Sequence, residues 1–548
     1  MHFHEALARG ISSYDVDTVF GVLGDGNVYI MDSFRRYANG RYVSTSHEMA
    51  AILAASGYAH VTGRLGVATV TEGPGLTHGV TALTDAARAR RSLLVVAGDV
   101  PVTDRGRLHK ISQRDVVAPT GAGFELVRSP GTVLTDLDTA VRRALIEHRP
   151  VVLSVPGTFQ WEQVADRPVV TRYAPPQAVR PDPAALDVAV GMLASASRPV
   201  VLGGQGAVGS RAGAALLRLA KRLGAPTATT LLARGLFADY DYDLGVFGTF
   251  SSPPALEAIV TSDCVIAFGA SLNAFTTDSG SLLTNKAVVQ VDADPAAIGR
   301  HTPVSAAVVG DAAAVAETMV EWLDQAEIQT GGFCSDDLAR KLKEFSPSPA
   351  GDHDPSRRLD IPWALARLNE VFTRERTVVF DGGRFFLLGL PQVEVPDPAA
   401  YVHTTSFASI GLGMGYAIGA AIGQPGRRTL LITGDGGFMN GGLAEFVTAV
   451  RHQLDITVVI LNDGAYGTEI MKLRRHGLDP DICMFDWPDL GPVAAALGGR
   501  GFTVHLRRDF DLALEQAVHA GPPTLIDVRI DPHTVSFSGP DHAPRDEE

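Results

Sequence analysis

An aspartate and an asparagine 27 positions apart speak most directly of chemistry: Asp435 in "GDGG" and Asn462 in "NDGAYG". The run "TLLITG" before the aspartate reads as a fully buried strand, and "ITVVILN", ending on Asn462, reads as another. Between them Leu443, Phe446, Val447 and Val450 recur at i, i+3, i+4 and i+7, which predicts an amphipathic helix. Two parallel strands joined by one crossover helix put Asp435 and Asn462 at neighbouring carboxyl ends, where open α/β sheets bind ligands. The new helix turns its N-terminal amides to the same spot, which suits a phosphate. Asp435, Asn462 and the Gly464 carbonyl offer the hard oxygens that Mg²⁺ prefers beside phosphates. Glycines here cost conformational entropy and are explained if the backbone must touch a diphosphate. Either polar residue alone is ordinarily a helix cap or a turn former; the pair with its glycines favours a ligand site. A P-loop is excluded, because no Gly-Lys-Ser/Thr follows.

The elements that must position this pair are legible along the chain. It has 548 residues, 45% of them apolar, enough for about three cores. Short apolar runs followed by helical patterns recur as "LGVATVT" (Leu65–Thr71), "SLLVVAG" (Ser92–Gly98), "RPVVLSV" (Arg149–Val155), "RPVVLGG" (Arg198–Gly204) and "DCVIAFG" (Asp263–Gly269). That alternation predicts parallel βαβ units. Pro-rich, charged stretches at Asp166–Pro183 and Glu344–Pro362 read as linkers. The expected fold is α/β, with three doubly wound parallel-sheet domains at 1–165, 184–343 and 363–548 and a polar, mobile tail.

Composition narrows the partners. A formal net charge of −14 argues against nucleic acid and anionic membrane surfaces. The three cysteines Cys264, Cys334 and Cys483 are far apart and odd in number, so neither a disulfide framework nor a cysteine zinc site is expected. The opening "MHFHEALARG" lacks the apolar stretch of a signal peptide. The longest apolar run, Ile410–Gly423, is too short to cross a bilayer. A cytoplasmic protein is expected.

The "GDGG" and "NDGAYG" segments, with 26 intervening residues counted from Asp435 to Asn462, resemble the thiamin diphosphate motif of the pyruvate decarboxylase/acetolactate synthase superfamily. The resemblance extends over almost the whole chain. It implies an N-terminal pyrimidine-binding domain, a middle domain and a C-terminal diphosphate-binding domain. It further implies that Asp435, Asn462 and the Gly464 carbonyl bind Mg²⁺, while Gly434, Gly436 and Gly437 border the diphosphate. In "SHEMAAILAASGYAHVTGRLGVATVTEGPG" (Ser46–Gly75), Glu48 matches the family's glutamate, which hydrogen-bonds the aminopyrimidine N1′ and promotes the imino tautomer. A glutamate in a first helical turn otherwise only complements the helix dipole. Ile410 falls where the family places a bulky side chain beneath the bent cofactor, with Met414 the alternative, and the Ala408 carbonyl is expected to accept from the 4′ amino group. Sites shared between subunits imply a homodimer or homotetramer.

The same resemblance implies decarboxylation of a 2-oxo acid, followed by aldehyde release or ligation to a second carbonyl compound. Asp25 in "FGVLGDGN" looks like the proton-relaying acid of the decarboxylases, and Glu469 matches their second acid if one residue is inserted near Ala465. Their adjacent His-His pair is missing. "RLHKISQRD" offers His109 in that place, while Gln113 resembles the glutamine of the synthase-type loop. The synthases' tryptophan segment is not recognisable, and Trp487 lies too far along. A Gly204–Gly206–Gly209 pattern follows a strand in the middle third, but no acid stands about 20 residues on, so NAD is not expected and tight βα packing explains the glycines. The segment "FGASLNAFTTDSG" lacks a basic residue for FAD, so FAD is not expected either. The rivals are an acetolactate-synthase-like carboligase containing FAD and a non-catalytic subunit of thiamin fold.

Overall fold

The apolar runs fold as strands, and their carboxyl ends carry the polar and glycine residues that interrupt them. The computed structural model describes residues 1–101, 104, 106–165, 177–329, 331–345, 354–390, 393–519, 521 and 523–530. The polar tail and most of the two Pro-rich stretches lie outside these residues.

Three six-stranded parallel sheets appear in chain order. The first contains β1 (Thr18–Gly21), β2 (Arg41–Ser44), β3 (Gly66–Val70), β4 (Leu93–Asp99), β5 (Gly123–Leu126) and β6 (Pro150–Pro156), ordered β2-β1-β3-β4-β6-β5. The second contains β7 (Pro199–Gly203), β8 (Thr227–Thr229), β9 (Asp243–Val246), β10 (Cys264–Phe268), β11 (Ala287–Asp292) and β12 (Ala306–Val309), ordered β12-β11-β10-β7-β8-β9. The third contains β13 (Arg376–Phe380), β14 (Tyr401–His403), β15 (Arg428–Gly434), β16 (Ile456–Asn462), β17 (Arg500–Val504) and β18 (Thr524–Arg529), ordered β14-β13-β15-β16-β18-β17. All seven sequence runs quoted above are among these strands. Central strands such as β3, β7 and β16 are buried along their whole length, as expected where helices cover both faces. The edge strand β12 alternates buried and exposed residues.

Each order reverses direction once beside a central strand: between β1 and β3, between β7 and β10, and between β13 and β15. In open α/β sheets such switch points are where the loops leaving neighbouring strands ordinarily part to leave a crevice.

The chain forms two compact units. One contains the first and third sheets, the other the middle sheet. Within the first unit the helix Glu48–Thr62 packs on the helix Gly413–Gly423. A Cβ on Gly57 would lie 2.3 Å from the Tyr416 carbonyl oxygen, and one on Gly419 would lie 1.9 Å from that of Ala54. The glycine-rich apolar run thus brings two backbones together. Among the described residues no helix is long and apolar enough to cross a membrane.

Candidate active site

The third sheet sets the frame. β15 and β16 are neighbours, with Gly434 opposite Leu461, so Asp435 and Asn462 leave adjacent strand tips. Both side chains are buried, 1% exposed. After Asp435 the chain runs through a short helical turn, Asp435–Gly437, and a π-helical turn, Phe438–Gly442, before the helix Leu443–Arg451. The sequence pattern predicts an ordinary helix there. The wider turn arises where the chain passes a neighbouring loop: a Cβ on Gly441 would sit 2.1 Å from the Gly411 carbonyl oxygen. Such π turns often mark functional sites.

The Asp463 carboxyl faces Asp435. Burial pushes the Asp435 carboxyl up, and the neighbouring Asp463 charge pushes it further. Burial raises Asp463 too, against the pull of Arg384, whose Nη2 lies 2.6 Å from Asp463 Oδ2. The guanidinium is paired with Asp463, and Asp435 faces that same acid. Asp435 Oδ2 is buried with no hydrogen-bond partner among the described residues.

Asn462 is held from both sides. Its Nδ2 donates to Asp527 Oδ1 at 2.8 Å, and its Oδ1 accepts from the Gly464 amide at 3.0 Å. Gly464 has a φ of 61° and its carbonyl accepts from the Phe485 amide at 2.6 Å. Each of these oxygens keeps a second lone pair. The donor set consists of one ionisable oxygen without a partner and two oriented neutral oxygens. This fits a hard divalent cation, which would also relieve the repulsion between the two acids. The glycines beside it are required by the protein's own packing as well: a Cβ on Gly436 would lie 2.7 Å from the Tyr466 ring, and one on Gly437 would lie 3.0 Å from Asp381 Oδ2.

Asp381, just past β13, ties this region together. It accepts from Gly382 and Gly411 amides and from the Thr404 and Thr433 hydroxyls, and burial raises its pKa. Ile410 lies in the loop between Asp381's partners Thr404 and Gly411, its Cγ2 3.6 Å from a Cβ built on Gly382. Ala408 adopts a φ of 60°, uncommon for a residue with a side chain. Phe407 donates its amide to the buried Asp85 of the first sheet's domain.

Glu48 opens the helix Glu48–Thr62. Glu445, buried on the helix Leu443–Arg451, accepts from the Ser46 and His47 amides at 3.0 and 2.8 Å and so fixes that helix start. Glu48 Oε2 meets His78 Nδ1 at 2.9 Å, and the His78 ring stacks on His47. Glu48 Oε1 lies beside Gly75. These neighbours differ from those of Asp435. The ligand atoms of His47, Glu48 and His78 lie within 4.8 Å of one another, but two imidazoles suit softer metals than Mg²⁺.

The other expected reaction residues separate into three places. Asp25 and His109 come together around Glu72, which is 1% exposed at the end of β3. Glu72 Oε1 accepts from Arg107 Nε at 2.9 Å and meets His109 Nδ1 at 3.1 Å, and Arg107 Nη2 reaches Asp25 Oδ2 at 3.5 Å. Gln113 is buried beneath them, donating to the Gly98 carbonyl and the Ser154 hydroxyl. Glu469 is half exposed on the helix Gly467–Arg475, 3.6 Å from Lys472.

Sequence reasoning missed Glu72, Asp463, Glu445 and Arg384. Glu72 carried the same signal as Asp435, an acid ending a buried strand before glycines. Asp463 stood next to Asn462 and was read only as part of a turn. Glu445 lay among the apolar helix positions, and nothing in the local sequence singles out Arg384.

Comparison with known proteins agrees with this layout. Residues 1–118 match the thiamine pyrophosphate enzyme N-terminal TPP binding domain, 186–319 the central domain, and 383–528 the C-terminal TPP binding domain. The chain is 30% identical to the "Probable 2-ketoarginine decarboxylase AruI" of Pseudomonas aeruginosa, over 96% of this chain and 93% of that protein. It is 28% identical to "Acetolactate synthase large subunit IlvG" of Mycobacterium tuberculosis, over 97% of this chain and 96% of that protein.

Proposed function

The chain belongs to the thiamine pyrophosphate enzyme family, and from that premise we propose that it decarboxylates a 2-oxo acid with thiamin diphosphate and Mg²⁺, releasing an aldehyde or ligating the acyl unit to a second carbonyl compound. The observation that carries this reading is the buried Asp435 Oδ2, without a hydrogen-bond partner among the described residues, at a strand tip beside Asn462. Asp435, Asn462 and the Gly464 carbonyl would hold the metal, with Gly434, Gly436 and Gly437 beside the diphosphate. Thiamin diphosphate, when bound, supplies the sink for the electrons left on carbon as CO₂ departs.

The chain's own residues do the rest. Glu48 would hydrogen-bond the pyrimidine through the oxygen that His78 leaves free. Ile410 and the Ala408 carbonyl would lie against the bound cofactor. Asp25 and His109 border the substrate, and Gln113 braces that loop against the sheet. Glu469 enters from the third sheet's domain. The separate neighbourhoods of Glu48 and Asp435 support a homodimer or larger homo-oligomer in which one copy's acid serves another's metal site. The domains are proposed to end near residues 165, 343 and 548. Three free cysteines suit a reducing compartment such as the cytoplasm.

The test is incubation with thiamin diphosphate, Mg²⁺ and a panel of 2-oxo acids, following CO₂ and products. Glu48→Gln should lower turnover by about 10²–10⁴-fold, the range for a lost acid–base group, while cofactor retention stays near wild type. Undiminished turnover in this variant would refute the role given to Glu48.

A further inference from the structure

A cavity of about 250 Å³ opens at the switch point of the first sheet, between the loops that leave β1 and β3. Asp25, Tyr29, Glu72, Arg107, Gln160 and Trp161 line it. Its charges are unevenly matched. Glu72 is buried and engaged by both Arg107 and His109. The Asp25 carboxylate is 80% exposed and has Arg107 only at 3.5 Å. Among the groups that line it, two carboxylates, Asp25 and Glu72, face one guanidinium, Arg107.

Gln160 makes the second observation. It is 2% exposed, and its Nε2 donates to the Asp25 and Gly26 carbonyls at 3.2 Å each. Those bonds fix which end of the amide is oxygen, and that oxygen has no partner among the described residues. A buried acceptor left unpaired is destabilising, so the site calls for a donor.

The third wall is aromatic. The Trp161 and Tyr29 rings meet edge to face at 4.9 Å, and both are substantially exposed. Aromatic faces, an under-neutralised carboxylate and a bare amide oxygen converge on one chemistry, that of a cation bearing N–H donors. An anion would find the cavity's guanidinium already bridging two acids.

We propose that this cavity takes a guanidinium or primary ammonium group carried on the tail of the 2-oxo acid. The cavity's role as tail pocket rests on the reading of Glu48 as the cofactor's acid. Residues Glu72–Gly75 connect the cavity wall to Gly75, beside Glu48 Oε1, so the cavity and the proposed cofactor acid share one loop. In this arrangement Asp25 holds the tail.

Two measurements test it. Isothermal titration of the full chain with n-butylguanidinium should show saturable binding at millimolar concentrations, while n-butyrate shows none. Trp161→Ala, a change at an exposed ring, should weaken that binding about 5-fold or more, and Gln160→Leu should weaken it as well. Absence of saturable binding, equal binding of butyrate, or wild-type affinity in Trp161→Ala would overturn the proposal. With thiamin diphosphate and Mg²⁺ added, kcat/KM should favour a 2-oxo acid ending in guanidinium over one of equal length ending in methyl, and Trp161→Ala should shrink that ratio. If butylguanidinium binds and neither acid is turned over, the proposed reaction fails and with it the tail assignment, leaving a cation site. If both acids are turned over equally, the tail assignment fails while the reaction stands.

Discussion

The switch points of the third and the middle sheets begin from the same local grammar, a buried parallel strand ending in a glycine-rich turn before a helix. In the third sheet the turn surrounds a buried carboxyl, one oxygen of which has no hydrogen-bond partner among the described residues, and which faces a second acid. In the middle sheet the turn after β7 is filled by the turn after β10. A Cβ on Gly204 would lie 2.2 Å from the Gly269 carbonyl oxygen, and one on Gly269 would lie 2.5 Å from Gly206 Cα. The Gly206 amide, which could have faced a phosphate, donates to the Gly269 carbonyl at 3.0 Å. One crevice holds a buried carboxyl oxygen without a partner among the described residues; the other is closed by backbone against backbone. Glycine at a strand end therefore says only that something approaches closely. Whether that is a ligand or another loop depends on what the opposite strand brings.

The largest effect should follow from removing Asp435. Asp435→Ala should weaken retention of thiamin diphosphate with Mg²⁺ by at least about 100-fold, the upper end of what even an outer-shell partner of a metal costs. Equilibrium dialysis at fixed Mg²⁺ reads this directly, and wild-type retention would dissolve the contrast between the two crevices. At the middle crevice Gly204→Ala should cost about 1–3 kcal/mol of stability from overpacking, a few degrees in melting temperature for a unit of this size. Cofactor retention per folded molecule should not change. If Gly204→Ala weakened the cofactor and spared stability, the middle crevice would be the working one.

The same contrast marks how far the sequence could be read. The buried strands were visible because their apolar runs end abruptly at glycine or an acid, and Asp435 and Asn462 were visible because their spacing matches one crossover unit. The neighbours that set their charge were not. Arg384 reaches Asp463 from another strand's loop, and Glu445 grips the start of the Glu48 helix across two domains. Local pattern is silent about such contacts, because they depend on which strand tips the fold places side by side. Glu72 stood at a buried strand end before glycines, as Asp435 did, but its partners Arg107 and His109 lie more than thirty residues away, so nothing nearby in the sequence paired it.

A smaller, pH-dependent difference should separate the sheets. Asp243, at the start of β9 in the middle sheet, is pushed up to about 6 by burial, against the pull of the Gly245 amide. Its folded pKa exceeds the unfolded value of 3.8, so between those values the folded chain holds the proton more tightly. The resulting stability is fully present below 3.8 and is lost as pH rises through about 6. Melting temperature should therefore fall more steeply across that window in wild type than in Asp243→Asn. Because the group lies in the middle unit, adding Mg²⁺ and thiamin diphosphate should leave that difference in slope intact. A slope that vanished on adding them would tie the middle sheet to the cofactor.

The smallest effect is expected at Gly209, the third glycine of the middle pattern and the last residue of the short helix Gln205–Gly209. Nothing lies within 4 Å of a Cβ built there, and its φ is not in the left-handed range. Gly209→Ala should thus be accommodated without strain and should stabilise the chain by about 0.4–1 kcal/mol through the unfolded state. In a dinucleotide fingerprint the third glycine serves close helix–strand packing, and an added methyl would be felt at once. A destabilised Gly209→Ala, seen as a lower melting temperature, would mean that this helix packs more closely than the geometry around Gly204 and Gly269 requires, and the two crevices would have to be compared afresh.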